Sequence, residues 1–261
     1  EALAAEVPRQ IANGFTIYKV AMAVVFLPFT NVLVTILNKL IPVREVDESL
    51  IEVRYMDPSL LETPELALQA VAHENMRITE RINSMLNQAL PILSKGSETD
   101  IVKLEELKAE ITQIHDFVLI YLRQVSKSEM SDSQGNWLMN SISVVNHLEN
   151  IGDILEVDLP ALCRLRIKQE LTIPEEMYTD LADIMEKTAE AFDKTMHAFE
   201  NLDVNTAQKI IRMKSEFNEI TEEKKNNQAK LILSEEHDMD IYRLEIAMID
   251  LLKGIFYHTK R

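Results

Sequence analysis

The sequence predicts an all-α chain in which one transmembrane helix leads into a pair of three-helix bundles. Three observations point there. Aromatic residues make up only 6% of the chain, with five Gly and eight Pro, too few strand and turn formers for a β-rich fold. An uncharged stretch lies near the start, and apolar residues recur at helical spacing through the remainder of the 261 residues.

The membrane segment comes first. Val20 to Leu37 reads VAMAVVFLPFTNVLVTIL, 18 residues without a charge, bracketed by Lys19 and Lys39. A bilayer core of roughly 30 Å needs about 20 such residues as helix, and long lysine side chains at its ends reach the head groups. A signal peptide is a poorer reading. The run follows a polar stretch with an acidic start, and no small-residue cleavage site follows it. Pro28, Thr30, Asn31 and Thr35 interrupt the apolar run. In lipid, a proline frees a carbonyl that must be satisfied elsewhere, and polar side chains prefer the side facing other helices. The expectation is a helix that contacts membrane lipids and packs against further N-terminal transmembrane helices upstream of Glu1, which is not an initiator Met. Residues 1–44 therefore read as the last helix of a truncated membrane domain.

Residues 45–62 read as a polar linker, punctuated by Asp57-Pro58. The first three-helix unit then spans residues 63–170 and the second 171–261. Thr63-Pro64-Glu65 supplies an N-cap, a first-turn proline and an acid. Leu68, Val71, Ile78, Ile82, Met85, Leu86 and Ala89 follow on one face. After a break at Lys95-Gly96-Ser97, a second helix is expected from about Asp100 to Val125, burying Val102, Leu107, Ile111, Ile114, Val118 and Tyr121. A third runs from about Ser131 or Ser133 to Gln169, with a kink or interruption at Val157-Asp158-Leu159-Pro160. The second unit opens at Pro174-Glu175-Glu176 and holds helices to about Asn201, from Val204 to Leu233, and from near Glu236 onward. Pro64-Glu65 recurs as Pro174-Glu175, and Glu110-Ile111-Thr112 recurs as Glu219-Ile220-Thr221. The two anchors keep nearly one offset, which favours a duplicated unit.

Charge divides the chain in the same place. Glu1 and Glu6 stand against Arg9, Lys19, Lys39 and Arg44, a net of +2, so residues 45–261 carry −18 of the formal −16. An acidic body of this kind lacks the Lys/Arg clusters that nucleic acid requires. Cys163 is the single cysteine, so no internal disulfide forms, and it reads as a small buried residue. His73, His115, His147, His197, His237 and His258 show no Glu-x-x-His spacing, and neither a phosphate loop nor a nucleophile elbow occurs. The chain is not expected to be an enzyme. The twelve Met residues read as core, and Trp137 as packing near the start of the third helix.

The sharpest local feature is Glu149-Asn150-Ile151-Gly152-Asp153. Glu149 and Asp153 lie four apart, on one helical face where they can share a cation. Gly152 costs about 1 kcal/mol in a helix interior, so close helix packing is expected there. Glu106 and Glu110 repeat the spacing on the second helix. If the two faces meet, four carboxylates converge as a hard metal ion requires. Solvated acidic helix faces are the plainer reading of the same pairs.

The chain resembles the C-terminal part of the bacterial sodium/phosphate cotransporter family, whose last membrane helix is followed by a PhoU-like domain. Ile11-Ala12-Asn13 to Pro28-Phe29 resembles the entry to that helix, and Thr63-Pro64-Glu65-Leu66-Ala67-Leu68 the opening of the first PhoU helix. Glu149 to Asp153 is similar to the family's E-R-I-G-D motif, with Asn150 in place of arginine. The resemblance implies a sodium-dependent phosphate symporter whose transport path lies upstream, sodium as coupling ion and inorganic phosphate as substrate. It implies an inner (plasma) membrane location with residues 45–261 cytoplasmic, and possible self-association as a homo-oligomer. It also implies a divalent or iron-type metal cluster at Glu149 and Asp153, joined by Glu106 and Glu110. The corresponding stretch of the second half, Lys253-Gly254-Ile255-Phe256-Tyr257, has neither acid. A membrane-anchored PhoU-like regulator of phosphate uptake or signalling, without transport of its own, is the alternative.

Overall fold

The computed structural model describes residues 13–20, 22, 26, 52–201, 203–232 and 239–261. Every regular element among the described residues is helical, with no strand. The chain divides into two units, residues 1–49 and 50–261. In the first, residues 13–20 are helical, and Phe15, Ile17, Tyr18 and Val20 are each more than half exposed. The expected membrane run Val20–Leu37 lies outside the described residues apart from Val20, Met22 and Phe26. Among the described residues no helix is long and apolar enough to cross a membrane.

In the second unit the chain enters through an irregular stretch, residues 52–57, and a 3-10 turn, Pro58–Glu62. The turn starts because the Asp57 side chain accepts the Ser59 N–H at 2.7 Å. This part of the linker is fastened down. The backbone N–H groups of Arg54 and Tyr55 donate to Oε1 of Glu74 at 2.7 and 2.8 Å. Oε2 of the same carboxylate accepts from Arg77 at 2.7 Å, and Arg77 also donates to the carbonyl of Glu52. Glu74 is fully buried and Arg77 nearly so. A charge can remain there only because pairing and hydrogen bonds replace its water.

Helix α1 (Pro64–Lys95) buries Leu68, Val71, Ile78, Ile82, Met85, Leu86 and Ala89, the face its spacing predicts. Helix α2 (Glu98–Val125) begins two residues ahead of Asp100, because Ser97 and Asp100 form a reciprocal capping box. The Ser97 backbone and hydroxyl hold the Asp100 carboxyl down to about 2. Its buried stripe is Ile101, Leu104, Lys108, Ile111, Ile114, Val118 and Tyr121. Val102 is exposed instead, since Ile101 is the residue in three-four register with Leu104 and Ile111.

Helix α3 (Asp132–Asp153) is capped by Ser131 and Gln134. Where an interruption is expected, the backbone widens into a π-helical turn, Ile154–Asp158, closed by the Leu159 N–H on the Ile154 carbonyl. Helix α4 (Leu159–Lys168) continues from it. Pro160 has no N–H to give, and the widened turn carries the helix past it without a break. The path ends at Glu170, whose φ of 54° puts it in the left-handed region. Helices α5 (Glu175–Glu200), α6 (Val204–Ile232) and α7 (Met239–Thr259) complete the chain. Asp203 caps α6, accepting the N–H groups of Asn205 and Thr206. The expected end at Leu233 and start at Glu236 lie outside the described residues.

Helices α1, α2 and α3 pack together, as do α5, α6 and α7. Pairings of α1 with α5 and α3 with α7 join the triplets, and α4 braces α1 and α7. The boundary expected at residues 170–171 falls in the turn between α4 and α5, and one hydrophobic core runs through both triplets. Cys163 sits inside it, its thiol pushed up to about 11 by burial.

Candidate functional site

Lys108 is the centre of the acidic motif. It lies on the buried stripe of α2, and its ammonium reaches the α3 face that carries Glu149 and Asp153. Nζ donates to Glu149 Oε1 at 2.7 Å, to Asp153 Oδ1 at 2.9 Å and to the Thr112 hydroxyl at 2.6 Å. The Thr112 hydroxyl in turn donates a hydrogen bond to Glu149 Oε1 at 3.0 Å. Three donors of one ammonium thus meet three acceptors, and nothing is left to offer an anion such as phosphate. Burial works against the charge on Lys108, but the hydrogen bonds and charges of Glu149 and Asp153 outweigh it and hold its pKa above the ordinary value.

Gly152 makes the approach possible. A Cβ there would lie 2.9 Å from Cδ and 3.1 Å from Cε of Lys108, so the lysine stem lies across the bare backbone. The close packing expected at Gly152 is therefore against a lysine stem rather than another helix backbone. Glu149 is largely buried and its Oε2 has no hydrogen-bond partner, whereas Asp153 is about half exposed.

The four acids expected to converge do not. Glu110 turns toward α1, accepting from Arg81 Nε at 2.7 Å, while Arg81 also donates to the carbonyl of Arg77. Glu106 is exposed, one turn earlier on α2. Glu149 and Asp153 do share a cation, and it is the ammonium of Lys108. Among the described residues no group of three or more His, Cys, Asp or Glu side chains is placed to hold a metal ion. The resident metal cluster implied by the family resemblance does not fit this arrangement, because Lys108 occupies the space between the carboxylates.

The second half shows what replaces the cluster. The offset that aligns Glu110-Ile111-Thr112 with Glu219-Ile220-Thr221 sets Lys108 against Phe217. Setting Glu149–Asp153 against Lys253–Tyr257 places Gly152 against Phe256. Phe217 and Phe256 stack with ring centroids 4.1 Å apart and planes 4° from parallel. A lysine stem over a glycine in one half becomes ring on ring in the other. The corresponding acids are gone, and Lys253 pairs with Glu222 at 2.7 Å.

A second polar contact ties α3 to α7. His147 Nδ1 and His258 Nδ1 are 3.1 Å apart, so one ring donates to the other. Burial lowers the pKa of both, and Arg261 adds to the effect.

Lys108 was within reach of the sequence. It stands four after Leu104 and three before Ile111, on the apolar register of α2, where an unpaired lysine has no place. Glu74 and Arg77 sit likewise among the buried positions of α1.

Comparison with known proteins gives distant relatives. The chain is 20% identical over 200 residues to "Putative inorganic phosphate export protein YjbB" of Salmonella typhimurium, covering 77% of this chain. It is 21% identical over the same length to the protein of that name in Escherichia coli K12. The chain spans 37% of the length of these curated relatives. No protein-family model matches it, and no solved structure matches it significantly.

Proposed function

We propose that this chain is the C-terminal region of a membrane protein that moves inorganic phosphate, and that its helical body is a control element rather than part of the transport path. The observation that carries the reading is the similarity, over 200 residues, to proteins named for inorganic phosphate export. The charge asymmetry supports it: a weakly basic start holds the uncharged run Val20–Leu37, and a strongly acidic body follows. In this reading Val20–Leu37 is the final membrane helix, and residues 45–261 are a PhoU-like module on the cytoplasmic side. Sodium coupling is the finer form of the proposal and rests on the family resemblance. The direction of transport is left to the flux experiment, since the relatives are named for export and the resemblance implies symport.

The Lys108–Glu149–Asp153–Thr112 network fits a control element. It is an internal ion cluster that ties α2 to α3, with the Lys108 ammonium between the two carboxylates. The test uses radiolabelled phosphate in cells lacking the full-length gene and in cells carrying it again. Influx and efflux are each measured in sodium and in choline buffer. The expected result is a flux restored by the gene, and no change in either direction would sink the proposal. If flux changes in cells but the purified full-length protein moves no phosphate in liposomes, the regulator without its own transport becomes the better reading.

A further inference from the structure

We infer that the cavity beside Trp137 is a binding site for a small amphipathic anion, an alkyl chain with a carboxylate head. It has a volume of about 400 Å³ and lies between α3, the α5–α6 turn and the end of α7. That is near the lower end of the roughly 300–1,000 Å³ of small-molecule pockets, a size suited to decanoate. Its walls are mostly apolar, from Trp137, Val144, Phe199 and Ile210, and Ile211 and Val204 remain more than half exposed at its edge. Exposed aliphatic side chains beside a concave apolar wall are what an alkyl chain covers.

The polar groups set the sign of the ligand. Lys260 and Arg261 line the cavity, both lying over the Tyr257 ring, with Arg261 donating to the Tyr257 hydroxyl at 2.8 Å, and among the described residues neither is held by a carboxylate in an ion pair. The acid on the wall, Asp203, is engaged in capping α6 and has its pKa lowered by Thr206. Trp137 lines the cavity with its ring, while its indole Nε1–H is enclosed by protein. A smaller cavity of about 40 Å³ adjoins it, sharing Val144, Phe199 and Arg261, and is lined in part by His147 and His258. Two cations beside an apolar trough describe an anion with a greasy tail. The inference is independent of the phosphate reading.

Trp137 is the one tryptophan of the chain, so its emission reports on the site directly. The full chain is placed in nanodiscs with a tryptophan-free scaffold and titrated with decanoate, with decyltrimethylammonium and with inorganic phosphate. A saturable shift of Trp137 emission with decanoate at submillimolar concentration is expected. In Lys260→Gln/Arg261→Gln, affinity should fall at least tenfold. In Ile211→Glu, which puts a carboxylate on the exposed edge, the shift should vanish, and that protein also gives the baseline for decanoate entering lipid. Arg261 and Ile211 are exposed and Lys260 is half-buried, and circular dichroism checks that the substitutions leave the helices intact. The inference is overturned if decanoate gives no more shift than in Ile211→Glu, or if the cationic amphiphile or phosphate binds as tightly.

Discussion

At Lys108, three hydrogen bonds replace the water that burial removes, and the side chain is 6% exposed. Removing the ammonium leaves Glu149 without its cation. Lys108→Met should therefore destabilise the protein by about 2–4 kcal/mol in urea unfolding, less than a fully buried pair because Asp153 is half exposed. Since the folded state raises this pKa above 10.5, the contribution is complete below 10.5 and is lost as pH rises through the raised value. Wild-type stability should then fall faster than that of Lys108→Met in strongly alkaline buffer. Glu170 offers the opposite case. It holds a left-handed conformation that favours glycine, so Glu170→Gly should stabilise by about 0.5–1 kcal/mol after the entropy of the unfolded glycine is counted. At this scale the sequence showed which residues were unusual but not what they touched. Glu149, Gly152 and Asp153 stand out by spacing. Their partner is a lysine on another helix, and a pattern that treats lysine as a surface residue passes over it.

Among the elements, helix starts were the most legible. Capping chemistry is local: Ser131 caps α3 at one of the two starts expected for it, while Ser97, read as part of a break, caps α2 two residues ahead of Asp100. The π-helical turn at Ile154–Asp158 was not legible. Pro160 announces a problem, but widening and breaking are both solutions, and the choice depends on what packs against the continued helix. Arg166 of α4 donates to the Gly96 carbonyl and Arg164 to Glu98, contacts that favour continuation. The stretch ahead of α1 reads as a polar linker and is in fact fastened by Glu74. The Arg54 and Tyr55 amides should accordingly be protected from hydrogen exchange. In Glu74→Ala they should exchange freely, and unfolding stability should drop by about 3–5 kcal/mol because Arg77 is left buried and unpaired. Rapid exchange of both amides in the wild type would contradict the geometry.

For the whole molecule, the duplication was visible from two short matches, while the way the halves meet was not. The α1–α5 and α3–α7 pairings join residues about a hundred positions apart, and no local pattern encodes them. The His147–His258 contact belongs to this scale. Burial and Arg261 lower both pKa values, so the unfolded chain takes up more protons than the folded one as pH falls below 6.5. Stability should therefore be complete above pH 6.5 and decline below it, before the carboxylates titrate. The melting temperature measured at pH 7.5 and 5.5 should drop, and His147→Phe should show a smaller drop than the wild type.

The unequal contents of the two halves bear on how the chain avoids tangling with copies of itself. Duplicated bundles carry a standing hazard, because a helix from one half can dock into the place of its counterpart, within a chain or between two. Here such an exchange would lay Phe217 over Glu149 and Asp153, or press the Lys108 ammonium onto Phe256. The first sets carboxylates against an aromatic face with no partner, and the second leaves a buried ammonium one cation–π contact in place of two carboxylates and a hydroxyl. The charged pairing in one half and the stacked rings in the other thus act as a key that only the correct assembly turns.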